Sequence, residues 1–443
     1  MISRRSFVAL QHRNFRLIWI GLFLSFTGST MQNAALLWQV SLLVPSEQKG
    51  MALGMVGLVK VVPIIVFSLF AGVVADAWNR RRVLLFTQAG SALVALGLAW
   101  VTIAGVSSVW PIYALAALGA AVSAFDLPAR HALIPMLVPR EHLPNAISLN
   151  TTMVQMASVT GPALAGLLIS GLGLFSTYLV NALSFGCVFA ALVAMRNIRH
   201  VHGRESSQVG SHNDVSFGAA LEGLRFVFRS PLIRSTMVLD FLATFFSSAT
   251  ALLPIFAQEI LHVGARGYGL LYAAPAAGAL LTSAVMVALI ERIQRRGPTL
   301  LWAVAIHGLA TVFFGLSRSM LLTFACLMLI GASDTVSMII RNLIRQLETP
   351  DRLRGRMAGV NMVFFIGGPQ LGEFEAGAVA TWMGAVFSVV SGGVGCVAAT
   401  AWIAARTPAL RRYTSHAVLA SGLEEQAIAK REAQSLQPTE TQS

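Results

Sequence analysis

Charge is what this chain has least of. Charged residues make up 12% of its 443 positions, against about 25% in an ordinary soluble domain. So little charge cannot wet a globule of this length, which places the chain among polytopic membrane proteins. Cysteine is scarce too. Cys187, Cys326 and Cys396 each sit inside a long apolar run, so they offer no disulfide framework and no metal-ligand spacing. They are expected to pack as small buried hydrophobes. The polar segments contain no P-loop, zinc signature, nucleophile elbow or paired-carboxylate site. Nothing in them points to an enzyme, a cofactor or an ATP-driven pump.

What is there is a series of apolar runs. A bilayer core of about 30 Å needs about 20 such residues per helix. Runs near 17–43, 52–75, 83–105, 109–126, 146–170, 174–195, 235–258, 268–290, 299–316, 320–338, 357–380 and 384–405 make twelve expected spans. The net charge of +13 lies in short basic clusters between them, not on one face of a domain, so a nucleic-acid partner is not expected. Of the 32 Lys and Arg residues, 28 fall in the terminal and alternate inter-span segments. Lys49, Arg266 and Arg318 occupy the opposite loops, and Lys60 lies within a span. By the positive-inside rule this puts both termini in the cytoplasm.

The opening stretch "SRRSFVAL" has the look of a twin-arginine export address. A second basic cluster, "HRNFR", and a long apolar run follow it, with no A-x-A cleavage site. Arg4 and Arg5 are therefore expected to anchor a retained first span, without N-terminal processing. Seven of the eight tryptophans fall near expected span ends, as an interfacial belt would. The expected organisation is a six-helix bundle over 1–195, a cytoplasmic linker with an amphipathic helix over 196–234, a second bundle over 235–406 and a cytoplasmic tail over 407–443.

A shift of 211 residues places Arg130 on Arg341, Pro139 on Pro350, Asn150 on Asn361, Gly161 on Gly372 and Gly166 on Gly377. Matches at such structurally demanding residues point to a duplication. Two repeated bundles with a site at their interface form a transporter architecture.

Three stretches carry a family resemblance. "AGVVADAWNRRRVLL", with Gly72, Asp76, Arg80, Arg81 and Arg82, resembles the signature loop of the major facilitator superfamily. Glu291, Arg295 and Arg296 stand as a degenerate copy. "SVTGPALAGLLI", with Gly161, Pro162 and Gly166, resembles the superfamily's exporter Gly-Pro motif. "NFRLIWIGLFLSFTGS", "FDLPARHALIPMLVPREHLPNAISLN" and "LETPDRLRGRMAGV" resemble the branch of enterobactin and other siderophore exporters, near macrolide efflux proteins. The resemblance implies an all-α fold of two pseudo-symmetric six-helix bundles in a bacterial cytoplasmic membrane. It also implies a monomeric exporter of a small molecule, driven by proton antiport. A siderophore or related metabolite is the favoured cargo. Multidrug efflux is the alternative, and a non-transporting scaffold or sensor the remote one. The sequence departs from the pattern where Pro162 and Leu164 correspond to Glu373 and Glu375. The fourth span also lacks the mid-helix arginine of the drug-antiporter branch.

Ionisable residues in mid-membrane are costly and therefore functional candidates. These are Lys60, Asp240, Glu373 and Glu375, with Asp334 a weaker case, and their roles are either proton coupling or a static ion pair. Lys60 lies 16 residues before Asp76 and Glu373 lies 17 after Arg356, or about 24 and 25 Å along their helices. The matched depths make Glu373 its expected partner, with Glu375 pointing elsewhere. The resemblance implies that spans 1, 4, 7 and 10 line the cavity. Ser25, Thr27, Gln32, Asn33, Thr244, Phe245, Phe246, Ser247 and Ser248 are then candidate contacts for a sizeable amphipathic or aromatic ligand, or else bonds between helices. His307 is expected to be structural.

Overall fold

The computed structural model describes residues 4–195, 225–350 and 353–414. Most of the expected linker (196–224) and the tail beyond 414 lie outside the described residues. So do the side chains of Arg4, Arg5, Gly72 and Asp76.

Eleven long helices follow one another: α1 Arg13–Leu43, α2 Lys49–Ala77, α3 Arg80–Ile103, α4 Trp110–Leu133, α5 Leu143–Ala194, α6 Pro231–Phe246, α7 Gly264–Leu289, α8 Arg296–Leu316, α9 Met320–Glu348, α10 Arg354–Met383 and α11 Ala385–Arg406. Among the described residues, nine helices are long and apolar enough to cross a membrane. One of these, Arg140–Ala194, contains two of the expected passages. The helices α1 and α10, of 31 and 30 residues, complete the twelve.

A straight α5 of 52 residues would be about 78 Å long, more than twice the bilayer core. It turns instead at Gly173, where φ is +83° and ψ 173°. Gly384 has φ +87° and ψ 155° at the α10–α11 junction. These two glycines are 211 residues apart, the offset of the internal repeat. Only glycine adopts this backbone region without strain. Gly173→Ala is therefore expected to cost about 1–3 kcal/mol, measured as a lower thermal-unfolding midpoint in detergent.

Several helices run past their apolar spans. α4 continues through Arg130 and α9 through Arg341 and Arg345. These arginines, which the sequence reading put between spans, are therefore helix residues, and Arg341 and Arg345 are buried. The α6 passage is also not one continuous helix. After Phe246 the chain passes through a 3-10 turn at Ala249–Leu252 and a π-helical turn at Phe256–Ile260. The described part of the expected amphipathic segment packs Val227 against Ile233, Met237 and Met357.

The two halves, α1–α5 and α6–α11, share one core at one end only. At the arginine-poor end, Met31, Leu53, Tyr178, Phe256, Tyr268, Phe314 and Val389 belong to a single buried cluster. At the arginine-rich end the cores are separate. Phe15, Ile18, Leu84, Met153 and Val188 form one. Leu239, Leu300, Ile340, Ile344 and Ile403 form the other. Large apolar side chains such as Phe86, Val287 and Leu321 remain exposed on the outside, as a lipid-facing surface requires.

Glycines bring the halves together by twofold-like contacts. A Cβ at Gly166 of α5 would sit 2.9 Å from Gly269 Cα of α7, and one at Gly377 of α10 would sit 2.7 Å from Gly54 Cα of α2. Apolar helices in lipid gain little from hydrophobicity when they associate, so close approach over small residues supplies the packing.

Candidate central cavity and charge clusters

A cavity of about 570 Å³ lies between the halves. Its walls come from α1 to α5, from Thr250 after α6, and from Tyr272 and Pro275 of α7. Among the described lining residues Lys60 alone carries a formal charge. Its Nζ donates to Asn33 Oδ1. Asn33 Nδ2 donates in turn to the Tyr272 hydroxyl oxygen at 2.8 Å, so the network crosses from the first half to the second. Gln32 Oε1 accepts from Asn181 Nδ2 at 2.7 Å.

The expected pairing of Lys60 and Glu373 takes an indirect form. No direct ion pair joins the two: Glu373 Oε2 lies beside Gly57, one turn before Lys60 on α2, and the Lys60 hydrogen bond goes to Asn33. Glu373 lies in the α2–α10 interface, where a Cβ at Gly57 would sit 2.9 Å from its Oε2. No hydrogen bond or ion pair holds Glu375 among the described residues.

Of the nine expected cavity contacts, Gln32 and Asn33 line this cavity. Ser25 is buried and faces Gln88 at 3.5 Å, and Thr27 faces Thr160 at 3.5 Å. Phe245 packs between Phe241 and Phe246, with ring centroids 5.7 and 5.3 Å away. Ser248 donates to the Thr244 carbonyl, and Ser247 Oγ is buried beside the Cys396 thiol. Thr244 borders a separate water-sized pocket with His307 and Asp334. Thr250, beyond the break that follows Phe246, lines the cavity instead. Pro162 lines the cavity, while Gly161 packs on α1 near the Thr27 carbonyl. From the first turn of α3, Arg81 donates to the Val193 carbonyl in the last turn of α5 at 3.2 Å, a favourable cation position at a helix C-terminus.

Asp240 is clamped rather than free. Arg341 and Arg345 reach its two carboxylate oxygens at 2.8 and 2.9 Å, and Arg345 also donates to Asn361. Asp334 stands 3.6 Å from Arg341 and is half exposed. The first half holds a related cluster that the sequence reading missed. Asp126 pairs with Arg130 one turn along α4 and accepts from Thr87 at 2.9 Å and Gln88 at 2.8 Å. The repeat-related arginines 130 and 341 thus each meet an aspartate, one on its own helix and one on α6. The i,i+4 spacing of Asp126 and Arg130 was the available signal. At the arginine-poor end, Lys49 bridges the halves to Glu259 at 2.7 Å, and Gln258 donates to Ser41 at 2.7 Å. Tyr268 donates to the Ala34 carbonyl at 2.9 Å.

Comparison with known proteins adds three findings. The family described as transmembrane secretion effector matches residues 4–435. An enterobactin exporter of Citrobacter koseri is 28% identical over 389 residues, covering 87% of this chain and 90% of that protein. One from Escherichia coli is 26% identical over 416 residues, covering 93% and 96%. Among solved structures, a bacterial homologue of the lysosomal transporter Spinster, inward-facing and unoccupied, superposes with TM-score 0.70 at 14% identity over 91% of this chain and 99% of that one. A bacterial homologue of the iron transporter ferroportin, inward-facing, gives TM-score 0.64 at 16% identity over 88% and 98%.

Proposed function

The chain belongs to the transmembrane secretion effector family of the major facilitator superfamily, and from that premise we propose that it exports a siderophore-like small molecule across the bacterial inner membrane by alternating access. One observation carries this reading: a 570 Å³ cavity sits between halves that share a core at one end and keep separate cores at the other. Rocking the halves about that cavity would open one end as it closes the other. The cargo class follows the enterobactin exporters that the chain resembles across most of its length.

With the arginine-rich end and both termini in the cytoplasm, the closed, arginine-poor end is the outer one and the cavity faces inward. The working units are the bundles at 1–195 and 235–406, joined by the linker at 196–234 and followed by the tail at 407–443. The transporter works as a monomer. Protons are the coupling ion, with Glu373 and Glu375 as the candidate carriers and Asp76 with Arg80–Arg82 as the inner gate.

The test is a comparison of a deletion strain with its parent. The deletion strain is expected to secrete at least about tenfold less of one small metabolite and to accumulate it inside the cell. The purified chain in proteoliposomes should then move that compound. Identical culture media would overturn the export reading. A deletion strain changed only in its sensitivity to unrelated drugs would favour multidrug efflux instead.

The outer closure yields a smaller prediction. The Lys49–Glu259 pair is partly exposed, with side chains 11% and 35% accessible, so its worth is about 0.2–1 kcal/mol. Glu259→Gln is expected to shift the closed population by no more than about fivefold. Cross-linking across the outer ends of α2 and α7 would measure it.

A further inference from the structure

The walls of the cavity are unbalanced in their hydrogen-bond chemistry. Lys60 Nζ carries three N–H donors and uses one on Asn33. Because Asn33 donates to the Tyr272 oxygen, the Tyr272 hydroxyl hydrogen is left to donate elsewhere. Asn181 holds Gln32 by its oxygen, which leaves the Gln32 amide nitrogen as a donor. All three residues line the cavity. The nearby carboxylate, Glu373, is not among the lining residues and sits against Gly57 in the α2–α10 interface. Much of the remaining wall is apolar and includes Phe26, Leu36 and Phe185.

A site with a fixed cation, surplus donors and apolar walls is complementary to an anion with an apolar body. A cationic ligand would instead meet the Lys60 charge in a setting where water screens it poorly. We propose that the cavity selects anionic ligands: a carboxylate or ionised phenol on an aromatic or otherwise apolar body. The ligand oxygen docks on Lys60 Nζ and the Tyr272 hydroxyl, and Gln32 Nε2 serves a second acceptor. This rests on the cavity being the transport site, and it assigns Lys60 to ligand recognition rather than to a permanent pair with Glu373.

The test uses the full-length chain in zwitterionic nanodiscs, with empty nanodiscs subtracted. Equilibrium dialysis compares 1-naphthoate with 1-naphthamide, which keeps the rings and loses the charge. The expected result is at least tenfold tighter binding of naphthoate. Lys60→Arg should keep that preference and Lys60→Met should remove it. Tyr272→Phe is the second variant, free of any charge change, and is expected to weaken naphthoate binding about threefold to tenfold. Equal affinity for the two probes, binding of neither, or a preference that survives Lys60→Met in a folded protein overturns the proposal. The outcome is separable from the export reading. A deletion strain with unchanged secretion would end that reading and leave the naphthoate preference standing as a binding property.

Discussion

An Asp240→Asn variant should lose about 3–5 kcal/mol of stability, the scale for removing one member of a buried ion cluster. Asp240, Arg341 and Arg345 are nearly inaccessible, with side chains 7%, 4% and 3% exposed. The aspartate neutralises two guanidinium groups at once, and neither has water to turn to. Asparagine keeps the size and one acceptor but leaves Arg345 without its counter-charge and Arg341 with only the half-exposed Asp334. The damage should reach beyond α6, because Arg345 also holds Asn361 and so ties α9 to α10. Thermal unfolding in detergent and the yield of folded protein would measure the loss. Adding Arg345→Gln should restore part of it, since one of the stranded charges is then gone. An unchanged unfolding midpoint for Asp240→Asn would show that the cluster does not hold the second half together.

A Gly377→Leu variant should abolish transport, at least about tenfold below the parent or 1.4 kcal/mol, while each half still folds. Gly377 meets the Gly50 carbonyl and lies where an added Cβ would be 2.7 Å from Gly54 Cα. The opposing atoms are backbone, which cannot swing aside as a flexible side chain could. A leucine there wedges α10 from α2 at the end where the halves share their core. The arginine-poor end is then held open. Gly171→Leu is a matched control, since nothing lies within 4 Å of a Cβ at that position. Loss of cross-linking between the arginine-poor ends of α2 and α7 should accompany the loss of transport. Normal transport by a well-expressed Gly377→Leu protein would show that this contact does not gate the cycle.

The structure agrees closely with the sequence reading on architecture. Long apolar runs and the arginine distribution are strong signals, because each passage must satisfy its own backbone within a helix. The repeat was legible through residues whose shape matters, and the paired turns at Gly173 and Gly384 extend it at the same offset. The span boundaries erred where helices continue into the charged ends. Hydropathy drops at Arg130 and Arg341, yet the helix continues because each arginine finds an aspartate inside the bundle. The α6 passage was misjudged for a related reason: nothing in "TFFSSATALLPIF" announces the 3-10 and π turns that redirect Thr250.

By itself the sequence determined that this chain crosses a membrane twelve times, which ends of the helices carry the arginines and that the two halves are related. Only the tertiary structure decided which side chains meet. It set Lys60 on Asn33 instead of directly on Glu373, gave Asp240 two arginines and brought Tyr272 from the second half to the cavity. The physical reason is that a helix buried in lipid is apolar on its protein-facing and lipid-facing sides alike. The 3.6-residue periodicity that marks the inward face of a soluble helix is then too weak to fix how each helix is rotated. That rotation is settled by close packing over glycines and by the few polar groups that must find partners.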